Sequence, residues 1–265
     1  MVHFVGAGPG DPELVTVKGQ RLIMAADVII YAGSLVNPEL LTLAKADAEI
    51  YDSKEMALPD IISVIQKKHQ EGKDIVRLQT GDISLYSALH EQTEALRALR
   101  IPYDLCPGVG AFAAAAAALE TEYTAPELTQ SVIITRAEGR TPVPNRESLK
   151  SFAAHGATMV LYLSSALAVK VRDELTNGGM PGNTPTAIVY KASWPEQKVF
   201  RTTLLHLPDV MAQNGIRSTA LIIIGEVLGE EGAAKEASRL YAPEFTTAYR
   251  KGSDEASKTG AVGEA

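Results

Sequence analysis

The sequence has a single cysteine, Cys106, among its 265 residues. No disulfide can form within the chain, and a reducing cytoplasmic setting is expected. Tryptophan is equally scarce, with Trp194 alone. A basic surplus is missing as well. Lysine and arginine total 25 against 32 aspartates and glutamates, a formal charge of −7. A nucleic-acid partner is therefore not expected, because a phosphate backbone calls for a positive face. Long apolar runs are absent too. The longest, Ala111–Leu119, falls far short of the roughly 20 residues that a membrane span needs, so no membrane association is expected. Met1–Val5 runs straight into a strand pattern, so no secretory leader is expected. The histidines, at positions 3, 69, 90, 155 and 206, are scattered without ligand spacing, and no metal site is expected.

What is present is an alternation of short apolar strands with helical stretches. Strand patterns cover Val2–Val5, Val28–Tyr31, Ile50–Tyr51, Ile75–Leu78 and Tyr103–Cys106. Between them, Val15–Ala26, Pro38–Ala44, Leu58–Gln70 and Tyr86–Leu99 read as helices, and Gly72 supplies a stop for the third. The alanine run Ala113–Ala118 reads as a helix whose small side chains allow close packing. This spacing predicts an α/β fold with a mostly parallel, doubly wound sheet.

The segment Glu120–Ser131 breaks the rhythm and predicts a boundary between domains at 1–120 and 121–250. Beyond it, strands are expected at Ser131–Thr135, Thr158–Leu163, Thr186–Tyr190 and Thr219–Ile224. Helical patterns fall at Arg146–His155 and Ala166–Asn177, and Ala192–Thr203 reads as a hairpin. The second sheet should therefore be mixed. The tail 251–265, rich in Gly, Ser, Lys and Glu, reads as disordered.

The first strand runs into Gly6-Ala7-Gly8-Pro9-Gly10-Asp11. A dinucleotide fingerprint would place its third glycine where Asp11 stands. A carboxylate there repels pyrophosphate, and Pro9 removes a backbone donor. The ribose-binding acid would fall near Ala32 or Gly33, and neither is acidic. The loop thus suits an adenosine ligand that lacks phosphate and carries positive charge, such as S-adenosylmethionine. Read more plainly, it is a tight turn with Asp11 as a cap. Thr80-Gly81-Asp82 is a second strand end. Asp82 there either caps the next helix or accepts from a ligand's ammonium or hydroxyl. Pro107-Gly108-Val109-Gly110-Ala111 is a third. Three glycine-bearing strand ends favour a shared crevice, the usual ligand position of open α/β sheets.

These pieces together resemble the tetrapyrrole (uroporphyrinogen and precorrin) methylases over nearly the whole chain. The segments Val5–Leu14, Gly81-Asp82 with Tyr86, and Pro107-Gly108-Val109 carry the likeness. Four further segments resemble the branch that methylates carbon 11 of precorrin-4 or cobalt-precorrin-4 in cobalamin biosynthesis. They are Tyr31–Val36, Ile134–Arg136 with Gly139–Pro142, Ala192–Glu196 and Ser238–Phe245. The resemblance implies two α/β domains, a homodimer, and S-adenosylmethionine bound in a cleft between the domains, leaving S-adenosylhomocysteine as product. Carried over position by position, it implies cofactor contacts from Pro9, Thr80, Gly81, Asp82 and Leu85. Gly110, Ala111, Leu163, Ala192 and Ala220 complete that set. Lys54, Arg136 and Lys191 are candidates for the substrate's carboxylates. Relatives that act earlier in the pathway carry an aspartate where this chain has Ala32, so no catalytic residue is assigned. Methylation at another ring carbon or of a protein or RNA, a nicotinamide oxidoreductase and a non-catalytic tetrapyrrole carrier stay open as alternatives.

Overall fold

The computed structural model describes residues 1–33, 35–229 and 242–253. Two five-stranded sheets organise it. The first holds β1 (Val2–Gly6), β2 (Val28–Tyr31), β3 (Glu49–Asp52), β4 (Ile75–Gln79) and β5 (Tyr103–Cys106), in the order β3-β2-β4-β1-β5. Every pairing in it is parallel. The central strand β4 is buried along its whole length, as a strand covered on both faces must be. Alternate residues feed two cores. Val2, Phe4, Ile30 and Ile75 face one way, and Val5, Ile29, Val76 and Leu78 the other. Each fully buried isoleucine or leucine contributes roughly 1.5–3 kcal/mol of burial free energy.

Helices α1 (Val17–Ala25), α2 (Leu58–Gln70), α3 (Leu89–Ala98) and α4 (Ala111–Ala118) belong to this half of the chain. Thr16 caps α1 by accepting from Gly19 N at 3.0 Å. The helix expected at Pro38–Ala44 is present as a 3-10 helix, Pro38–Leu43. One expectation needs correction. The predicted helix from Tyr86 starts only at Leu89, because Tyr86 and Ala88 take left-handed backbone, with φ of 54° and 50°. Periodicity alone does not reveal that break.

The second sheet holds β6 (Val132–Arg136), β7 (Thr158–Tyr162), β8 (Pro185–Tyr190), β9 (Lys198–Thr203) and β10 (Ala220–Ile224), in the order β6-β7-β10-β8-β9. Only β6 and β7 pair in parallel; the other pairings are antiparallel. The expected mixed sheet is thus present. Its hairpin is differently placed: β8 and β9 are the two strands, and Ala192–Gln197 lies in the loop joining them. One face packs on α5 (Leu149–Ala153), α6 (Ala168–Asn177) and α7 (Leu207–Gln213) through residues such as Met159, Leu161 and Ile222. The other face receives α4. Ala114 and Ala115 lie in one cluster with Val160, Val189 and Ile223. The alanine run therefore lets the last helix of the first half lie close on the second sheet.

Candidate cofactor cleft

Three strand ends meet without side chains between them. A Cβ on Gly6 would lie 2.6 Å from Gly108 Cα and 2.7 Å from Gly81 O. A Cβ on Gly108 would lie 2.8 Å from Gly6 Cα. The obstacles are backbone atoms, which cannot rotate away. Gly8 and Gly81 bridge the two loops, Gly81 N donating to Gly8 O at 2.8 Å and Gly8 N to Gly81 O at 3.2 Å. Gly6 and Gly108 are thus required for the approach of one backbone to another, and Gly8 and Gly81 for their left-handed backbone, with φ of 77° and 63°.

Asp82 locks this junction. Its carboxylate accepts from Gly108 N at 2.8 Å and Ser84 N at 2.9 Å, and from the Ser84 hydroxyl. It does not cap a helix, since α3 begins seven residues later. Burial pushes its pKa up, but the donors from Ser84, Gly108 and Ile83 outweigh burial and hold it below the usual aspartate range. Asp11 takes the plainer of its two roles. It accepts from Glu13 N at 2.8 Å and caps a 3-10 turn, Pro12–Leu14. Helix α1 starts only after that turn, so no helix N-terminus follows directly on the glycines, as a pyrophosphate cradle requires.

The loop 191–197 crosses from the second sheet to the glycine loop. Trp194 Nε1 donates to Pro9 O at 3.0 Å, and Asp11 N donates to Ser193 Oγ at 3.0 Å. The indole occupies the space that a side chain at Gly10 would need. Lys191 stands 5.3 Å from the indole centre, within cation–π range. Asn37 Nδ2 donates to Gly10 O at 2.8 Å from the other side.

These contacts frame a cavity of about 380 Å³ between the sheets, within the range of about 300–1,000 Å³ for small-molecule sites. Pro9, Thr80, Gly81, Asp82 and Leu85 line it from the first half, with Gly110 and Ala111 at the start of α4. Leu163, Ala192 and Ala220 line it from the second. All ten positions singled out for a cofactor thus surround one space. Of the three candidates for substrate carboxylates, only Lys191 lies on it. Lys54 lines a separate cavity. Arg136 donates to the carbonyls of Ala137, Thr141 and Pro142 and lines neither cavity.

Sequence reasoning missed Tyr86, Tyr162, Ser165, Arg217 and Thr219, which also line the cleft. Tyr162 accepts from Phe112 N at 2.9 Å and lies 5.5 Å from the Tyr86 ring. Burial pushes the Tyr162 phenol up to about 12, so it stays neutral at physiological pH. Four residues on the rim, Tyr86, Leu163, Lys191 and Thr219, hold left-handed backbone without being glycine. Such strain collects at ligand sites. The β-branched Thr219 is the most unusual of them. Its carbonyl accepts from Lys191 N at 2.8 Å, joining two rim segments. Tyr86 had a signal in the family motif; Thr219 had none.

A family model for the tetrapyrrole (corrin/porphyrin) methylases matches residues 1–208. The chain belongs to the tetrapyrrole methylases. It is 49% identical to a cobalt-precorrin-4 C(11)-methyltransferase of Methanocaldococcus jannaschii, over 94% of this chain and 96% of that one. It is 46% identical to a precorrin-4 C(11)-methyltransferase of Pseudomonas aeruginosa, over 95% and 99%. A solved cobalt-precorrin-4 methyltransferase superposes with a TM-score of 0.84 at 46% identity, covering 86% of this chain and 95% of that one. The uroporphyrin-III C-methyltransferase of Thermus thermophilus, solved with S-adenosylhomocysteine, superposes at 0.74 with 28% identity, over 86% and 98%. The tetrapyrrole methylase fold accounts for the parallel sheet, the mixed sheet and the cleft between them. Among the described residues no cluster of His, Cys, Asp and Glu could hold a metal, and no helix is long and apolar enough to cross a membrane.

Proposed function

We propose that the protein transfers the methyl group of S-adenosylmethionine to carbon 11 of precorrin-4, with or without cobalt, in corrin assembly. The observation that carries this reading is the convergence of ten expected contacts, from both halves of the chain, on one cavity. The relatives named for this reaction, at 46% and 49% identity over nearly full length, supply the carbon.

The residues of the cleft fit the cofactor's chemistry. The cleft carries no cradle for phosphate. Gly81, Gly110 and Ala111 would leave room for adenosine, and ionised Asp82 puts negative charge on the cleft wall, which would favour a cationic ligand. The cofactor supplies an activated methyl on a positively charged sulfur. Positive charge on sulfur is lost during transfer, so a dry site favours the step. The chain's own part is alignment: Pro9 is fixed by Trp194, Asp82 by Gly108, and Thr80 Oγ1 donates to Leu35 O at 3.2 Å. Holding two reactants in line can supply about 7–11 kcal/mol in favourable cases.

No dedicated acid or base is needed in this reading. Asp82 is committed to loop donors, Tyr162 stays protonated, and Lys191 pairs with Glu196 at 3.4 Å. Replacing any single titratable cleft residue should lower the rate only modestly. A variant that binds both reactants normally yet has no turnover would sink that part of the reading. The expected homodimer is part of the same reading, and sedimentation equilibrium tests it.

Calorimetry tests the cofactor. S-adenosylmethionine and S-adenosylhomocysteine should both bind, and NADH should not. NADH binding without the others would revive the oxidoreductase reading. Tetrapyrrole binding without either would favour a carrier.

A further inference from the structure

A second cavity, of about 460 Å³, opens on the first sheet. Ala32 lines it after β2, and Lys54 lines it after β3. Ser87 and Ala88 form another wall. They continue the loop whose Leu85 and Tyr86 line the cofactor cleft, so one loop serves both spaces.

Arg77, in the middle of β4, also lines this cavity and is only 6% exposed. Its Nε donates to Gln92 Oε1 at 3.0 Å. Nη1 donates to Ile30 O at 3.2 Å and Leu78 O at 3.4 Å. Among the described residues, Nη2 has no acceptor. Among the described residues, the sealed side-chain atoms without partners are Gln79 Oε1 and Thr184 Oγ1. Nη2 is not one of them, so it keeps access to the cavity.

No carboxylate among the described residues pairs with Arg77. Glu91 is the one acid in the lining, and it makes no ion pair with Arg77 or Lys54. Lys54 itself pairs with Asp52 at 3.5 Å and stays half exposed. A guanidinium buried without a counter-charge is costly. Two of its faces are anchored to the sheet and α3, which fixes the third. With Nε and Nη1 committed, the fixed guanidinium offers Nη2 as a charged donor to a single carboxylate. Met56 and Ile61 add apolar wall beside it, suited to the methylenes of a short acid arm. Ala32 and Ala88, both small, leave the space open.

We propose that this cavity receives one carboxylate arm of the tetrapyrrole, with Arg77 Nη2 as the principal donor and Lys54 as a second cation. The assignment rests on the substrate reading above, and it places the macrocycle across the ends of β2 and β3, with the 85–88 loop between its arm and the cofactor.

Two variants test it. Arg77→Lys keeps the charge and loses the fork. Ala88→Asp puts a carboxylate into the cavity wall without removing any buried group, and aspartate tolerates the left-handed backbone there. Steady-state kinetics with precorrin-4 and cobalt-precorrin-4 should show KM for the tetrapyrrole raised roughly tenfold or more in at least one variant, the scale of one charge-assisted hydrogen bond. Affinity for S-adenosylmethionine by calorimetry should stay within about twofold of wild type, which a merely unfolded protein would not show. Unchanged KM in both variants, with an active wild type, overturns the subsite and leaves the function standing. A wild type that binds S-adenosylmethionine but methylates neither tetrapyrrole overturns the substrate reading, and the subsite falls with it.

Discussion

The two halves build their sides of the cleft in opposite ways. In the first, the strand ends come together because side chains are missing at Gly6 and Gly108, and Gly81 beside them takes a left-handed turn at φ 63°. In the second, ordinary residues are forced into glycine-like backbone at Leu163, Lys191 and Thr219. The first half relies mainly on composition, with strain at Tyr86 on its rim, and the second relies on strain. Both leave backbone groups close to the ligand space. A parallel sheet with loops at one edge can use the first route because its strand ends lie side by side. The mixed sheet brings its rim from β7, β8 and β10 in different directions, and the turns between them must bend sharply.

That contrast predicts opposite responses to adding and removing a Cβ. The largest effect should come from Gly108→Ala. Its new methyl would meet Gly6 and the Gly81 carbonyl, both backbone. Stability in urea should fall by about 3 kcal/mol, with cofactor binding lost. A fall below about 1 kcal/mol would mean that the loops separate easily, and the contrast would lose its first term.

Next is Asp82→Asn. An amide cannot accept from both Gly108 N and Ser84 N through equivalent oxygens, and a cost of about 2 kcal/mol is expected. The pH sign follows from the lowered pKa. In the folded protein Asp82 holds its proton less readily than in the unfolded chain. Its stabilisation is therefore complete above the ordinary aspartate range and is lost as pH falls through the depressed value. Urea melts of wild type and Asp82→Asn should converge below that range and separate above it.

Trp194→Phe removes one hydrogen bond, to Pro9 O, while keeping most of the ring. The expected cost is about 1 kcal/mol, read as severalfold weaker S-adenosylmethionine binding. Because Trp194 is the only tryptophan, its fluorescence in the wild type should change on cofactor binding. An unchanged spectrum and unchanged affinity would detach the 191–197 loop from the site.

The smallest effect has the opposite sign. Thr219→Gly should stabilise the fold by up to about 1 kcal/mol, because the left-handed backbone no longer opposes a branched side chain. Thermal denaturation reads it. Destabilisation would show that the threonine side chain outweighs its strain.

How much of this could be read from residues alone follows the same divide. Glycines at strand ends are visible as letters, so the meeting of the Gly6, Gly81 and Gly108 loops was legible before any coordinates. The parallel sheet was legible too, since buried strands and amphipathic helices alternate with clear periods. Strain was not. Nothing in the letters marks Thr219 or Leu163 as left-handed, and the same blindness put the start of α3 at Tyr86 instead of Leu89. Asp82 reads in sequence as a helix cap or a ligand contact, and geometry adds a role that neither reading held, a carboxylate that ties two loops together. Arg77 was invisible for another reason: an arginine within Val76-Arg77-Leu78 looks like any strand residue until its missing counter-charge is seen. The segment Ser238–Tyr241, part of the likeness to the carbon-11 branch, lies outside the described residues, as does Ser34. The expected tail is described only as far as Ser253.

The most direct test of the central claim is the position of the transferred methyl. Wild-type protein would be incubated with precorrin-4, or with cobalt-precorrin-4, and S-adenosylmethionine carrying a carbon-13 methyl. The product would be weighed by mass spectrometry and mapped by carbon NMR. A single labelled methyl on carbon 11 is the predicted result. Label on any other ring carbon, or no label with either substrate, would contradict it.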